Sequence, residues 1–398
     1  MTRLRQSAVV GVLALALTHV STGAQTASSS VPAWLAPYRE ATTRLLNAAT
    51  ADDFAWRRLA ELTDLYSGRI SGSEALTGAI TWAGATMTRD GLENVRTEPV
   101  MVPHWVRGAE SVELVLPTRS PLVAVGLGGS VPTPPGGLEA DVIVVGSFEE
   151  LRARAAEVRG RIVLFNAPFV SYGETVTYRN GGARAAAAFG AVATLVRAVG
   201  PTGLRTVHTG SVEYSADAQP IPAASIAAED ANRLARLAAT GQRLRVRLSL
   251  DSRTLPDAPS ANVIGEIRGR ERPDEIVLLG GHLDSWDISP GASDDGAGCL
   301  AAWEALRLMK TLGLRPRRTV RLVLWTNEEH GVRGGQAYAA AHASEAARHV
   351  FALESDSGVF APLVVGFSGN PAARQTIRDI LNLLTPVVPT DLVAGGGG

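Results

Sequence analysis

The order of segments predicts an α/β fold built on a doubly wound, mostly parallel sheet. Three observations carry this. Short apolar runs such as EIVLLGG, TVRLVLW and HVFALES are continuous and not alternating, as in strands buried on both faces. Longer helical stretches, GAGCLAAWEALRLMKTLG and GVRGGQAYAAAHASEAA, separate them, and parallel strands need such crossovers. A polar cluster follows each of these strands, at the carboxyl edge where open parallel sheets bind ligands.

The chain opens with MTRLRQSAVVGVLALALTHVSTGAQTA, in which Arg3 and Arg5 precede an apolar run and small residues surround Ala24. This is the anatomy of a secretory leader over residues 1–24, too short to span a bilayer, so a secreted or periplasmic protein with no membrane span is expected. Export permits disulfides, yet the single cysteine, Cys299, excludes an intrachain bridge, and its apolar neighbours place it in a core.

Residues 36–92 read as amphipathic helices, FAWRRLAELTDLY and ALTGAITWAGATMTRDGL, with Gly91 stopping the last before the strand-like NVRTEPVMV. From about Ser120 the texture changes to Pro/Gly-rich turns and short β-branched runs, then GGARAAAAFGAVATLVRA, which reads as one Ala-rich helix. TLPDAPSANV reads as a linker back to regular alternation. The expected organisation is therefore a principal unit formed by residues 36–119 and 254–398, interrupted by an inserted α/β or β-rich module at 120–253.

Composition fits folded units: 45% of the 398 residues are hydrophobic and 19% charged, which excludes a disordered chain. Net charge is −1, and no block of like charge is long enough to capture nucleic acid or a membrane surface.

The chemistry lies in the strand-end clusters. After EIVLLGG come His282 and Asp284, which point the same way in extended chain, so that the carboxylate can orient the imidazole. The loop continues to Asp294 and Asp295 ahead of a helix; alone, these could be an N-cap and a first-turn acid. TVRLVLW is followed by Asn327, Glu328, Glu329 and His330, and HVFAL by Glu354, Ser355 and Asp356; each pair of acids alone could be a solvated loop. Together they would crowd negative charge at one sheet edge unless cations sat among them, and imidazole with carboxylates describes a catalytic zinc site.

GGHLDSWD, GASDDGAG, TNEEHG and ESDSG, in that order, closely resemble the motifs of the carboxypeptidase Q group of the di-zinc exopeptidases. SGRISGSE, EPVMVPHWVRG and WEALRLMKTLGLRPRRTVRLVLWTNEE are similar too, and the likeness covers most of residues 36–398. The resemblance implies the zinc exopeptidase fold, with the inserted module akin to a protease-associated domain. It implies His282, Asp294, Glu329 and Asp356 as ligands of two zinc ions, Asp294 bridging them, Asp284 orienting His282, and Glu328 as general base. Short peptides are the implied substrates and a homodimer the implied assembly. Members of the group supply a further histidine from beyond the third acidic cluster, whereas the histidines after His282 here are His330, His342 and His349. A chain truncated at its C-terminus, with a weakened second zinc, is therefore expected.

Two other functions fit parts of this pattern: a noncatalytic ectodomain on the same fold, and a glutaminyl cyclase with one zinc. The full set of acids argues for the peptidase. Aminopeptidase, carboxypeptidase and dipeptidase activities share the same metal chemistry and stay open.

Overall fold

Residues Arg318–Trp325, buried almost throughout, form the middle strand of a five-stranded sheet with only their end residues partly exposed. The computed structural model describes residues 32–216, 218–356, 361–385 and 387–395; the expected leader, 1–24, lies outside the described residues. Across the sheet the order is Glu93–Val106, Arg253–Ile267, Arg318–Trp325, Arg272–His282 and His349–Glu354. The first two pairings are antiparallel and the last two parallel, so the sheet is mixed, and its parallel half carries the polar strand ends.

Alternation sends successive residues of the middle strand to opposite faces. Leu322 and Leu324 pack under the helices Phe54–Leu65, Glu74–Arg89 and Ala297–Thr311, in a core that includes Leu62, Trp82, Met87 and Trp303. Cys299 is fully buried in it. Val323 faces Ile264, Ile276, Leu278 and Tyr338, the last from the helix Arg333–Ala341. Helices thus cover both faces, as a doubly wound sheet requires. The outer strand His349–Glu354 has no second neighbour among the described residues and leaves Val350 and Leu353 exposed, an edge open to unwanted pairing.

The segment expected to be a linker is strand. Residues 253–262 extend the Arg253–Ile267 strand beyond the sheet and pair only with Glu93–Val106, making a two-stranded ribbon. Pro256 and Pro259 misled the expectation; they are tolerated because one side of this strand is open there, where a missing N–H costs no ladder bond.

The ribbon leads to an eight-stranded second sheet whose central strands, Leu138–Val145, Ile162–Phe165, Ala193–Arg197 and Ala223–Ile226, run parallel. This sheet takes in Glu110–Leu116, so the second unit starts before Ser120. The single Ala-rich helix is also corrected. The helix Tyr172–Ala187 ends, Gly190 turns at φ +82°, and the rest is the strand Ala193–Arg197. Positive φ at a helix end favours glycine, and the β-branched residues beyond it pack better on a pleated sheet than in a helix.

The two sheets meet at the loop after His282. Arg107 grips Asp287 with Nε and Nη2 at 2.6 and 2.7 Å, and Trp105 donates to the Ser130 carbonyl at 3.0 Å. A Cβ on Gly128 would lie 2.0 Å from the Trp286 ring, so only glycine lets the second sheet approach this closely.

Candidate metal centre

Three parallel strands end side by side, with His282 opposite Trp325 and Gly280 opposite Glu354. That register brings three separate loops to one edge. His282 closes its strand and is fully buried; Asp294 stands exposed in the turn before the helix Ala297–Thr311; Glu328 follows the middle strand; Asp356 follows the outer strand. One ligand atom each from His282, Asp294 and Asp356 lie within 4.8 Å of one another.

The imidazole decides what this cluster can hold. Its Nδ1 lies 3.0 Å from the carbonyl oxygen of Asp284, which can only accept, so Nδ1 carries a hydrogen. Nε2 then points at Asp294 Oδ1 (3.0 Å) and Asp356 Oδ1 (3.3 Å), with Glu328 Oε2 at 3.9 Å. A bare lone pair facing carboxylates is repulsive; a proton or a metal cation must lie between. Without metal, burial opposes the imidazolium, but the hydrogen bonds to Asp294 and Asp356 and the charges of Asp284 and Asp295 outweigh it and raise the His282 pKa far above its ordinary range. The same hydrogen bond to His282 holds Asp294 below the usual carboxylate range. The donor set fits zinc: imidazole nitrogen plus carboxylate oxygens, with a side open to solvent.

The orienting group differs from expectation. The Asp284 carboxylate is 3.8 Å from Nδ1 and is engaged elsewhere, accepting the N–H groups of Glu328 (3.0 Å) and Glu329 (3.2 Å). The main-chain carbonyl of Asp284 sets the ring, while its side chain pins the neighbouring loop. Asp295 is buried and accepts from His282 N (3.0 Å) and Gly298 N (3.1 Å), tying the imidazole strand to the helix start.

Glu329 is not within the 4.8 Å cluster, but burial and then the charge of Asp294 push its carboxyl up to about 9. Burial pushes Asp295 to about 8. His330 packs beside Trp286 with ring centroids 6.1 Å apart, His342 lies between Glu98 and Glu345, and His349 meets the Tyr338 hydroxyl at 2.8 Å; none joins the cluster.

Sequence reasoning missed Arg69. Fully buried, it donates to the carbonyls of Leu283 (2.7 Å), Pro290 (2.7 Å) and Gly291 (2.9 Å), clamping both ends of the loop between His282 and Asp294. Ser71 accepts from the Asn327 side chain at 2.8 Å. The SGRISGSE stretch thus positions two of the three loops, and Ser73 caps the helix Glu74–Arg89 by accepting from Leu76 N.

These groups give the metal-free protein a definite pH dependence. Glu329 and Asp295 keep protons in the folded state up to about 9 and 8, while the unfolded chain loses them near 4.5 and 3.8. His282 likewise holds its proton above the ordinary 6.5. The folded state binds more protons, so stability falls as pH rises from about 5 towards 9. Asp294 acts oppositely, but only below 3.8. Denaturant melts between pH 5 and 9 should show this decline without metal and a flatter profile with zinc; a metal-free stability that climbs across that window would contradict it.

An imidazole and several carboxylates gathered at the carboxyl edge of an α/β sheet define a metal-dependent hydrolase of the zinc exopeptidase class. Residues 262–388 match the family model described as Peptidase family M28. The chain is 44% identical to carboxypeptidase Q of Xenopus laevis over 361 residues, covering 90% of this chain and 77% of that one. It superposes on a peptidase M28 precursor from Shewanella amazonensis with a TM-score of 0.86 at 33% identity, covering 90% of this chain and 83% of the other. A zinc aminopeptidase of Bacillus subtilis shares the fold, with a TM-score of 0.61 at 21% identity over 86% of this chain and 79% of that one. The chain belongs to peptidase family M28.

Proposed function

We propose that this protein is an exported exopeptidase that cleaves dipeptides and short peptides with two zinc ions. The observation that carries the reading is His282 Nε2 facing Asp294 and Asp356 with Nδ1 already committed to a carbonyl. One zinc is assigned to His282, Asp294 and Asp356. A second would be held by Asp294 and Glu329.

Zinc bound there would supply Lewis-acid polarisation of the scissile carbonyl and stabilise its developing negative charge. The chain's own residues do the rest. Glu328 takes the proton of the attacking water and returns it to the leaving amine; burial, with the charge of Asp356, raises its carboxyl pKa, which suits it to hold that proton in transit. Asp284 fixes the Glu328 main chain and so aims the carboxylate. The second unit, with its sheet starting at Glu110, narrows the approach and favours short, exposed chain ends over folded protein.

Among the described residues no helix is long and apolar enough to cross a membrane. The expected leader motivates export, which N-terminal sequencing of protein recovered from the medium or periplasm would test.

Zinc content tests the site. After gel filtration the protein should retain zinc, held by His282 with Asp294 and Asp356. Zinc retained equally by His282→Ala, or none retained by the wild type, would sink the assignment. Unblocked dipeptides should be hydrolysed by the zinc-loaded protein and not after chelation.

A further inference from the structure

The second unit is mounted on one ribbon, and two strands alone make a weak support. The buried apolar residues at the joint, Ile70, Trp105 and Trp286, form a small cluster. Units joined in this way swing against one another unless a specific contact stops them. Arg107, the first residue beyond the strand Glu93–Val106, is placed to be that contact. Its side chain is 9% exposed and lies over the Trp105 ring, with Cζ 5.0 Å from the ring centre. Nη1 donates to the Gly126 carbonyl and reaches Glu110 Oε2 at 3.4 Å, both in the second unit. Glu110 Oε2 also accepts from Gly126 N at 2.9 Å. Nε and Nη2 meanwhile hold the two oxygens of Asp287, in the middle of the loop that runs from His282 to Asp294. Among the described residues no other ion pair joins the second unit to the first.

The loop has its ends fixed from the opposite side. Arg69 binds the carbonyls of Leu283, Pro290 and Gly291, and Gly68 N donates to the Ser289 carbonyl at 3.1 Å. Its middle is therefore the part that follows the second unit. Next to the ion pair, Gly128 and Gly129 slot between Trp286 and His330: a Cβ on the first would lie 2.0 Å from the Trp286 ring, and one on the second 3.1 Å from His330 Nε2. The second unit thus sits against the loop that leads to Asp294 and against the one that carries Glu328 and Glu329. A bidentate pair fixes direction as well as distance, so an outward swing of the unit must first break Arg107 from Asp287.

We infer that the Arg107–Asp287 pair is a latch that sets the length limit of the substrate, by holding the second unit against the metal-edge loops so that a longer chain cannot lie through the gap. The inference rests on the exopeptidase reading and deepens it by naming the residues that impose the preference for short peptides. Arg107 is a positioning residue, acting through the unit it holds.

The test compares the unblocked alanine dipeptide with the alanine hexapeptide on zinc-loaded enzyme. Arg107→Gln should lower the ratio of kcat/KM for the dipeptide to that for the hexapeptide by about tenfold, the scale of one lost charged hydrogen bond, with zinc content unchanged. Asp287→Asn should do the same, and Arg107→Lys should recover part of the ratio. The double variant Arg107→Gln/Asp287→Asn should shift it no further than either single change, because both break one interaction. Equal changes for the two peptides, or a double variant whose shift is the product of the singles, would overturn the proposal. Should Arg107→Gln fail to fold, Asp287→Asn alone must move the ratio, and no movement there overturns it. Hydrolysis of neither peptide by the unsubstituted protein would count against the exopeptidase reading, and amide hydrogen exchange then decides the latch without turnover. Over residues 283–293 exchange should quicken about tenfold in Asp287→Asn, and unchanged exchange overturns the latch.

Discussion

Replacing Glu328 by glutamine should lower kcat by about 10²- to 10⁴-fold, the usual range for a lost general base, with zinc content unchanged. The side chain keeps its shape and loses only the ability to accept a proton. Glu328 Oε2 lies 3.9 Å from His282 Nε2, close to the cluster yet too far to share its hydrogen bonds, so the substitution leaves His282, Asp294 and Asp356 as they are. Its N–H still anchors on Asp284. Parallel assays of dipeptide hydrolysis and bound zinc separate the two roles: activity lost with zinc retained marks a base, zinc lost marks a ligand, and full activity would remove Glu328 from the mechanism.

Arg69→Met should destabilise the fold by about 3–5 kcal/mol. Methionine fills much of the volume but leaves the carbonyls of Leu283 and Pro290 without their Arg69 donor, at about 1–3 kcal/mol each, while Gly291 keeps the Gly296 N–H; the loss is partly offset because a buried charge is no longer desolvated. Asp284 and Asp295 also lose the attraction of the Arg69 charge. The loop spanning His282 to Asp294 would loosen, so zinc affinity should fall together with the denaturation midpoint. A loss below about 1 kcal/mol with normal zinc binding would show that the clamp is redundant.

How far the sequence disclosed all this depended on the range of the interaction. His282, Glu328 and Asp356 were legible because each follows its own apolar run, and parallel strands end at a common edge whatever their partners. Asp295 was legible in its local contact with Gly298, three residues on, but not in its bond to His282 N, which the fold brings to it. Arg69 was not, since its acceptors lie more than two hundred residues along the chain and nothing near it distinguishes a clamp from a solvated arginine. The ribbon was misread because proline signals a break only where both sides of a strand must pair. The Ala-rich run was misread because the helix preference of its alanines carried the reading past Gly190, the available cue to the switch, into the β-branched residues beyond.

The chain leaves the five-stranded sheet at Val106 and returns at Arg253, and these two residues face each other across the ribbon. Entry and exit are therefore already adjacent, and joining them needs only a tight turn of the kind that closes any hairpin. Loop-closure entropy grows slowly with length, and here the second unit spans its own ends, so its presence places little demand on the sheet whose strand ends carry His282, Glu328 and Asp356. Excised between Val106 and Arg253, the unit should leave a chain that still folds and binds zinc.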